Sequence, residues 1–283
     1  MKKIIFCSVL FLAAVPHICG FEVSDTYTHS SAFWRNNISA YAQPAYALSL
    51  GAEFDLTEHK DFYNHIYALR LPVTLSTGDD TQFALRPFYY PDNANGASAW
   101  GALAAVKMLV NSDEVENSST NAQLSLGYAA QKADVDKNGV LARNDDFRQL
   151  AYGLLVNFNY FDIYSFDVAG TVYQYISGID GVQNVRGVMN QAELADLGTL
   201  DYVLGLPDYS AGVKIRWVSS ASRSDNYISY RYIDTYNDGG AHLLVAAVMI
   251  DTGRDFFINF AYNHIFRAGA DRDLYSAGIM YKF

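Results

Sequence analysis

Cysteine is nearly missing from this 283-residue chain: the two present, Cys7 and Cys19, both stand within the first twenty residues. Past that point disulfides, thiolate metal sites and cysteine nucleophiles are excluded together. Proline is scarce at six residues, and no Pro/Ser-rich linker or long charge run divides the sequence, which therefore reads as one domain. Basic residues are short in number, 20 against 30 acids, giving a formal net charge of -10 and a pI near 4.9. Nucleic acid is thus excluded as a partner, because its affinity comes from phosphate neutralisation. Beyond residue 20 no apolar run approaches the ~18 to 20 residues that a spanning helix needs. Aromatic residues, in contrast, are abundant: 22 Tyr, 17 Phe and 3 Trp in a chain of mean hydropathy -0.01. That composition excludes a disordered or collagen-like chain and demands many positions that are half wet and half apolar.

Residues 1–20 have the layout of an export signal. Lys2 and Lys3 form a basic start, residues 4–15 an apolar stretch too short to span a bilayer, and Ile18-Cys19-Gly20 a cleavage site after Pro16. The alternative of a lipid anchor on Cys19 is disfavoured by the bulky Pro16, His17 and Ile18 just upstream. Export through the Sec pathway with removal of residues 1–20 is expected. The segment 21–37, with Phe33 and Trp34, is then a periplasmic tether, a plug or an extension of the first strand.

From Ile38 onward the apolar residues recur with a period of two, the mark of strands with one apolar face. Even positions from Ile38 through Tyr46 to Leu56 oppose Ser49, Gly51, Glu53 and Asp55. Similar alternation returns over 67–75, 83–89, 100–110, 124–128, 150–158, 166–172, 209–217, 228–232, 241–250, 256–262 and 275–283. The second face is mostly Gly, Ala, Ser, Asn and Thr with occasional charges, whereas a soluble sheet would turn a richly charged face to water. Phe62-Tyr63, Tyr89-Tyr90 and Tyr160-Phe161 stand near strand ends, as interfacial aromatic girdles do. The pattern predicts an all-β, transmembrane, antiparallel up-and-down β-barrel of about 12 strands over 38–283.

Connections after even-numbered strands (76–80, 160–162, 219–226, 251–255) are short, and the two longest (132–146 and 177–208) follow odd-numbered ones. This is the expected asymmetry of periplasmic turns and outer loops. His65, Asp234 and His264 then fall on lipid-side faces near the outer rim, where polar residues cost little. The last strand adds a resemblance. Tyr275, Ala277, Ile279 and Tyr281 alternate up to Phe283 and resemble the C-terminal signature that bacterial outer-membrane β-barrel proteins present to their assembly machinery. The resemblance covers about ten residues and implies a porin-like barrel in the outer membrane of a Gram-negative bacterium. Its partners would be outer-membrane lipid, lipopolysaccharide and the barrel assembly machinery.

Turning each strand's charged face inward places Arg70, Arg86, Lys107, Lys214, Arg216 and Arg231 in the lumen, opposed by Glu53, Asp55 and Asp167. Inward placement has a structural cause of its own, since a charge facing lipid at mid-depth costs ~2 to 4 kcal/mol. As a functional set these residues predict a narrow diffusion channel for small anionic solutes, because charged rings set pore selectivity. The alternative is a closed structural or surface-interaction barrel whose loops bind partners. Two loop features accompany these readings. Residues 191–197, between Asn190 and Gly198, form a candidate short helix. Asp134, Asp136, Asn138, Val140 and Asp145 occupy positions 1, 3, 5, 7 and 12 of an EF-hand-type loop and make Ca2+ a candidate ligand. The same letters also describe an acidic hairpin. His29, His59, His65, His242 and His264 show no spacing that pairs them with a nucleophile, and the chain is read as a non-enzyme.

Overall fold

The computed structural model describes residues 20–31, 33–59, 66–78, 80–91, 98–115, 117–186, 206–236, 239–253, 255–267 and 271–283. The first half of the chain supplies β1 (Gly20–Ser30), β2 (Phe33–Ala45), β3 (Leu48–His59), β4 (Ile66–Arg70), β5 (Val73–Ser76), β6 (Thr81–Tyr90), β7 (Ser98–Asp113) and β8 (Ser118–Lys137). The second half supplies β9 (Val140–Tyr160), β10 (Tyr164–Ser177), β11 (Val182–Arg186), β12 (Pro207–Ser219), β13 (Ser224–Thr235), β14 (Ala241–Gly253), β15 (Phe256–Arg267) and β16 (Arg272–Lys282). Neighbours pair antiparallel, and the circuit is closed by β1 with β16, from Glu22↔Lys282 to Ser30↔Leu274. β4 and β5 are two halves of one wall strand, and β11 pairs only with β8, beyond the wall. The barrel therefore has 14 strands.

Burial is inverted relative to a soluble protein. Leu69, Leu85, Leu126, Val172, Ile215, Ile228 and Ile279 are exposed on the outer face, while Thr57, Gln149, Thr171, Ser229 and Asn263 are buried on the inner one. An apolar exterior around a polar interior fits a lipid surround, where every backbone polar group must be paired internally and only a closed sheet leaves no edge.

The count of 14 corrects the expectation of about 12 and has two causes. Residues 21–37, set apart from the barrel in the sequence reading, form β1 and the first part of β2. The long alternating run 38–56 is two strands, β2 and β3, joined by a turn at Tyr46-Ala47. That turn leaves even-numbered residues outward on both sides, so the alternation passes through it undisturbed. Two added strands leave parity unchanged, and the short connections still share one end of the barrel with Gly20 and Phe283. A second correction concerns 132–146. It is no loop: β8 and β9 continue through it to a two-residue turn at Asn138-Gly139 with φ of 50° and 80°. Glycine and asparagine are the residues that tolerate this left-handed pair, which matches the twist of a tight hairpin. The candidate helix 191–197 lies outside the described residues.

Between β4 and β5 the wall is interrupted at Leu71-Pro72, because proline has no N–H to give the ladder. Local bonds repair it: the Gly51 N–H donates to the Pro72 carbonyl at 2.7 Å, and the Leu71 N–H to that of Pro87 at 3.0 Å. Gly51 is required there, since a Cβ would sit 2.7 Å from the Pro72 ring and 2.6 Å from that of Tyr41. Gly101 plays the same part under Phe88, its cross-strand partner, where a Cβ would overlap both the Phe88 ring and the Tyr128 carbonyl oxygen. Gly101→Val is expected to destabilise the barrel by about 1–3 kcal/mol through overpacking. Denaturant unfolding in detergent, followed by heat-modifiable gel migration, should show an earlier midpoint. An unchanged midpoint would mean that the ring does not rest on this glycine.

Candidate functional site

The register fixes which residues face inward, and the interior resolves into two levels. Nearer the short-turn end the inward positions carry charge. β3 presents Glu53 and Asp55, and its neighbours β2 and β4, with β6 one strand beyond, bring arginines to them. Asp55 accepts from Arg35 Nε at 2.8 Å, from Asn37 Nδ2 at 2.7 Å and from Arg70. Glu53 accepts from Arg86 at 2.6 Å and from the Tyr41 hydroxyl, with Arg70 a further 3.7 Å away. Arg70 also donates to the Tyr90 hydroxyl at 2.6 Å. Three guanidinium groups thus surround two carboxylates that are nearly sealed from water, Asp55 being 2% exposed. Such a network holds only when every member is paired, because a buried charge that loses its partner costs several kcal/mol.

The second charged wall lies on β10, β12 and β13. Around the circuit as many strands separate β3 from β12 in one direction as in the other, which sets the two walls opposite each other. Here Arg216 forms a two-pronged contact with Asp225, one bond being Nε to Oδ1 at 2.7 Å. Lys214 lies over the Tyr227 ring, 4.7 Å from its centroid, and Asp167 accepts from Asn157. Arg231 is buried on β13. Between the walls the inward positions are small or uncharged, among them Ala105, Ser125, Gly127 and Gly153 on one side and Ala247, Ala261, Ser276 and Gly278 on the other. Lys107 stands in the first of these sectors, on β7 beside Gln82 and Gln123.

All nine charged residues expected inward from the sequence, Arg70, Arg86, Lys107, Lys214, Arg216, Arg231, Glu53, Asp55 and Asp167, therefore occupy inward positions of this register. The structure divides them between two walls, with Lys107 apart. Sequence reasoning missed Arg35 and Asn37, since parity was begun only at Ile38, Tyr41, an uncharged residue on the inward side of that run, and Asp225, which fell inside a span taken for a turn. Extending the alternation three residues past each apparent strand end would have found Arg35, Asn37 and Asp225.

Nearer the long-connection end the interior packs apolar side chains among buried polar ones, Gln131, Gln149, Thr171, Ser210, Arg231 and Asn263. Ala68, Phe88, Tyr90, Ala99, Ala129, Ala151, Tyr173, Ile233, Ala241, Leu243 and Leu274 form one buried cluster, with Leu103, Tyr175 and Ile265 packed against it. The crescent spans β4 through β10 and resumes from β13 to β16. On β1 to β3 Thr28, Ser30, Arg35 and Thr57 stand at this end, and Asp55 pairs across the ladder with Ala68, where the first charged wall meets the cluster.

The candidate calcium residues do not converge. Asp134 and Asp136 lie on β8, Asn138 in the turn, and Val140 and Asp145 on β9. Asp145 is paired with Lys137, and Val140 is held opposite Lys137 in the ladder. Calcium needs at least six oxygens folded around one point, and an extended hairpin with a cation on its carboxylate does not fit that need. Among the described residues no group of three or more His, Cys, Asp or Glu side chains is placed to hold a metal. Of the terminal signature, Tyr275, Ile279 and Tyr281 face outward and are exposed, while Phe283 packs 5.6 Å from Phe21 and 4.3 Å from Tyr281, centroid to centroid. On the outer face near the long-connection end, His264 Nδ1 lies 2.6 Å from Asp273, which also accepts from Tyr262 at 2.6 Å. His242 contacts the Tyr230 hydroxyl at 2.6 Å. The His264 pair follows from the register of the last hairpin, which sequence spacing alone did not reveal. His65 lies outside the described residues.

No family model and no curated protein matches the sequence. Solved structures do match the fold. OccAB1 of Acinetobacter baumannii superposes with a TM-score of 0.54 at 10% identity, over 93% of this chain and 95% of that one. The CymD monoaromatic hydrocarbon channel superposes with a TM-score of 0.53 at 8% identity, over 94% and 87%. At such identities the likeness is one of fold: the chain has the architecture of an outer-membrane β-barrel.

Asp55 is expected to be the most sensitive position of the first wall. Asp55→Leu leaves the Arg35 and Arg70 charges opposed only by Glu53 and should lower the unfolding free energy by about 3–5 kcal/mol. Phe54→Leu, the outward neighbour, should cost less than ~1.5 kcal/mol. Equal midpoints for the two variants in urea titrations would show that the network contributes nothing to stability.

Proposed function

We propose that the protein is a narrow, non-enzymatic solute channel of the Gram-negative outer membrane, with the short-turn end in the periplasm and an interior that favours small anions. The observation that carries this reading is the pair of charged walls facing each other inside a closed barrel. On them Arg35, Arg70, Arg86, Lys214, Arg216 and Arg231, with Lys107 between, outnumber Glu53, Asp55, Asp167 and Asp225. A ring of like charge lowers the barrier for the opposite ion, so the local excess sets selectivity although the whole chain is acidic. The layout of residues 1–20 supports export through the Sec pathway. The outward, exposed Tyr275, Ile279 and Tyr281 support engagement by the barrel assembly machinery, and the apolar outer face supports contact with lipid and lipopolysaccharide. The architecture shared with OccAB1 and with the CymD channel is consistent with transport and does not by itself name a solute.

One feature favours a second reading, in which the barrel is closed and acts through its loop end. β8, β9 and β11 extend past the wall and pack Val135, Phe147, Val182 and Leu206 into a core of their own. Planar-bilayer recording separates the two. The channel reading predicts discrete conductance steps with anion preference, and Lys107→Gln combined with Lys214→Gln should lower the anion-to-cation permeability ratio by at least about twofold. Folded protein that never conducts would support the closed barrel. Steps whose ion preference ignores both lysines would refute the role given to the walls.

A further inference from the structure

Resting on the channel reading, we infer that the bore is gated from its long-connection end, Tyr175 coupling a closure inside the barrel to the sheet of β8, β9 and β11 that projects beyond the wall. Toward that end every wall strand except β2 turns at least one buried side chain inward, among them Thr57, Phe88, Gln149, Thr171, Asn263 and Leu274. On β2 the Arg35 side chain is 14% exposed. A continuous water-filled bore would have to wet some of these groups, so the interior is closed at this height. Nearer the short turns Arg86 and Arg216 keep 30% and 48% of their side chains exposed, and the charged walls are wet. A dry septum stops ions because they cannot shed their water there. Conduction therefore requires the septum to open.

The projecting sheet joins the wall along one short line. β8 leaves β7 after Lys132, and β9 meets β10 only from Arg148 onward. Beyond these pairs, among the described residues, the extension is held by its own ladder and by β11. Register shifts lie at Ala133/Val135, Tyr175/Ser177 and Val182/Asn184, and such bulges bend strands. The sheet can tilt about this line without breaking a bond of the closed wall. Tyr175 stands on the line, packed against the buried cluster inside the barrel and against the outer core of Val135, Phe147, Val182 and Leu206. Its hydroxyl accepts from Gln149 Nε2 at 2.8 Å and donates to the Pro207 carbonyl at 2.9 Å, which ties β9, β10 and β12 together. A tilt that displaces Val182 and Leu206 therefore pulls on Tyr175, Gln149 and Pro207, and through them on the septum. Coupling travels through packed side chains and hydrogen bonds of this kind.

Single-channel recording of the reconstituted full-length protein tests this. The wild type should show long closures between conductance steps. Tyr175→Phe keeps the ring and removes both hydrogen bonds, and should raise the open fraction about threefold or more. Val182→Ala, outside the bore, should raise it as well by loosening the outer core. The double variant should open little more than either alone, because both changes release one linkage. If Tyr175→Phe does not fold, Gln149→Leu removes one of the same bonds and is read by the same fraction. A wild type that stays open throughout, or an open fraction that Val182→Ala leaves unchanged, overturns the inference, while the steps themselves keep the channel reading standing. Absence of conductance in the folded wild type and in every variant overturns both.

Discussion

Closure of the β1 and β16 ladder is the constraint on which the rest of this structure depends. In hydrocarbon an unpaired N–H or C=O costs several kcal/mol, so a sheet that spans a bilayer must have no edge. The pairing from Glu22↔Lys282 to Ser30↔Leu274 removes both edges at once. Once the sheet is closed, alternation along every strand sends one set of residues outward and the other inward. Leucine, isoleucine, valine and tyrosine dominate the outward set, with polar groups such as the His264 and Asp273 pair confined toward its long-connection end. The inward set is left free to carry charge, glycine and aromatic rings in an order that packing alone does not impose.

That freedom has been used unevenly. The level nearer the turns holds two charged walls on opposite sides, each a mixture of cations and carboxylates with cations in excess. The level nearer the long connections packs a buried apolar cluster among buried Gln131, Gln149, Ser210 and Asn263, with Thr28, Ser30 and Arg35 on β1 and β2. Neither level resembles the other, and neither follows from what the bilayer demands, since a barrel needs only that its interior be filled or solvated. Local devices keep the walls smooth enough for this arrangement: glycines beneath Tyr41 and Phe88 let aromatic rings lie flat against the sheet, and backbone bonds bridge the break at Pro72. The charge of -10 therefore describes the chain as a whole and not these two walls.

Fold class and strand faces were legible in the sequence because a period of two survives wherever one side meets lipid. The inward placement of Arg86 or Lys214 needed no more than parity. Strand count was not legible, because the turn at Tyr46-Ala47 preserves parity and β1 carries Asp25 and His29 on its outward side, which breaks the apolar alternation. The extension of β8 and β9 was hidden for a chemical reason: Asp134, Asp136 and Asn138 have the composition of a loop, and beyond the bilayer a strand no longer needs an apolar face. The networks around Asp55 and between Arg216 and Asp225 depend on which strands are neighbours, and alternation within one strand carries no information about that. The buried apolar cluster escaped for another reason, since Leu243 sat within the run 241–250 while Ile233 and Leu274 lay just outside the alternations 228–232 and 275–283.

Thiol reactivity along the interior tests the two-level account most directly, using single cysteines in a background where Cys7 and Cys19 are replaced by serine. Ser165→Cys lies opposite Arg216 in the charged level, and Ala241→Cys lies in the apolar crescent. The account predicts that Ser165→Cys reacts faster with an anionic methanethiosulfonate than with a cationic one of equal size. It predicts that Ala241→Cys reacts faster with an uncharged maleimide than with either charged reagent. Rates that do not differ between the two positions for all three reagents would contradict it.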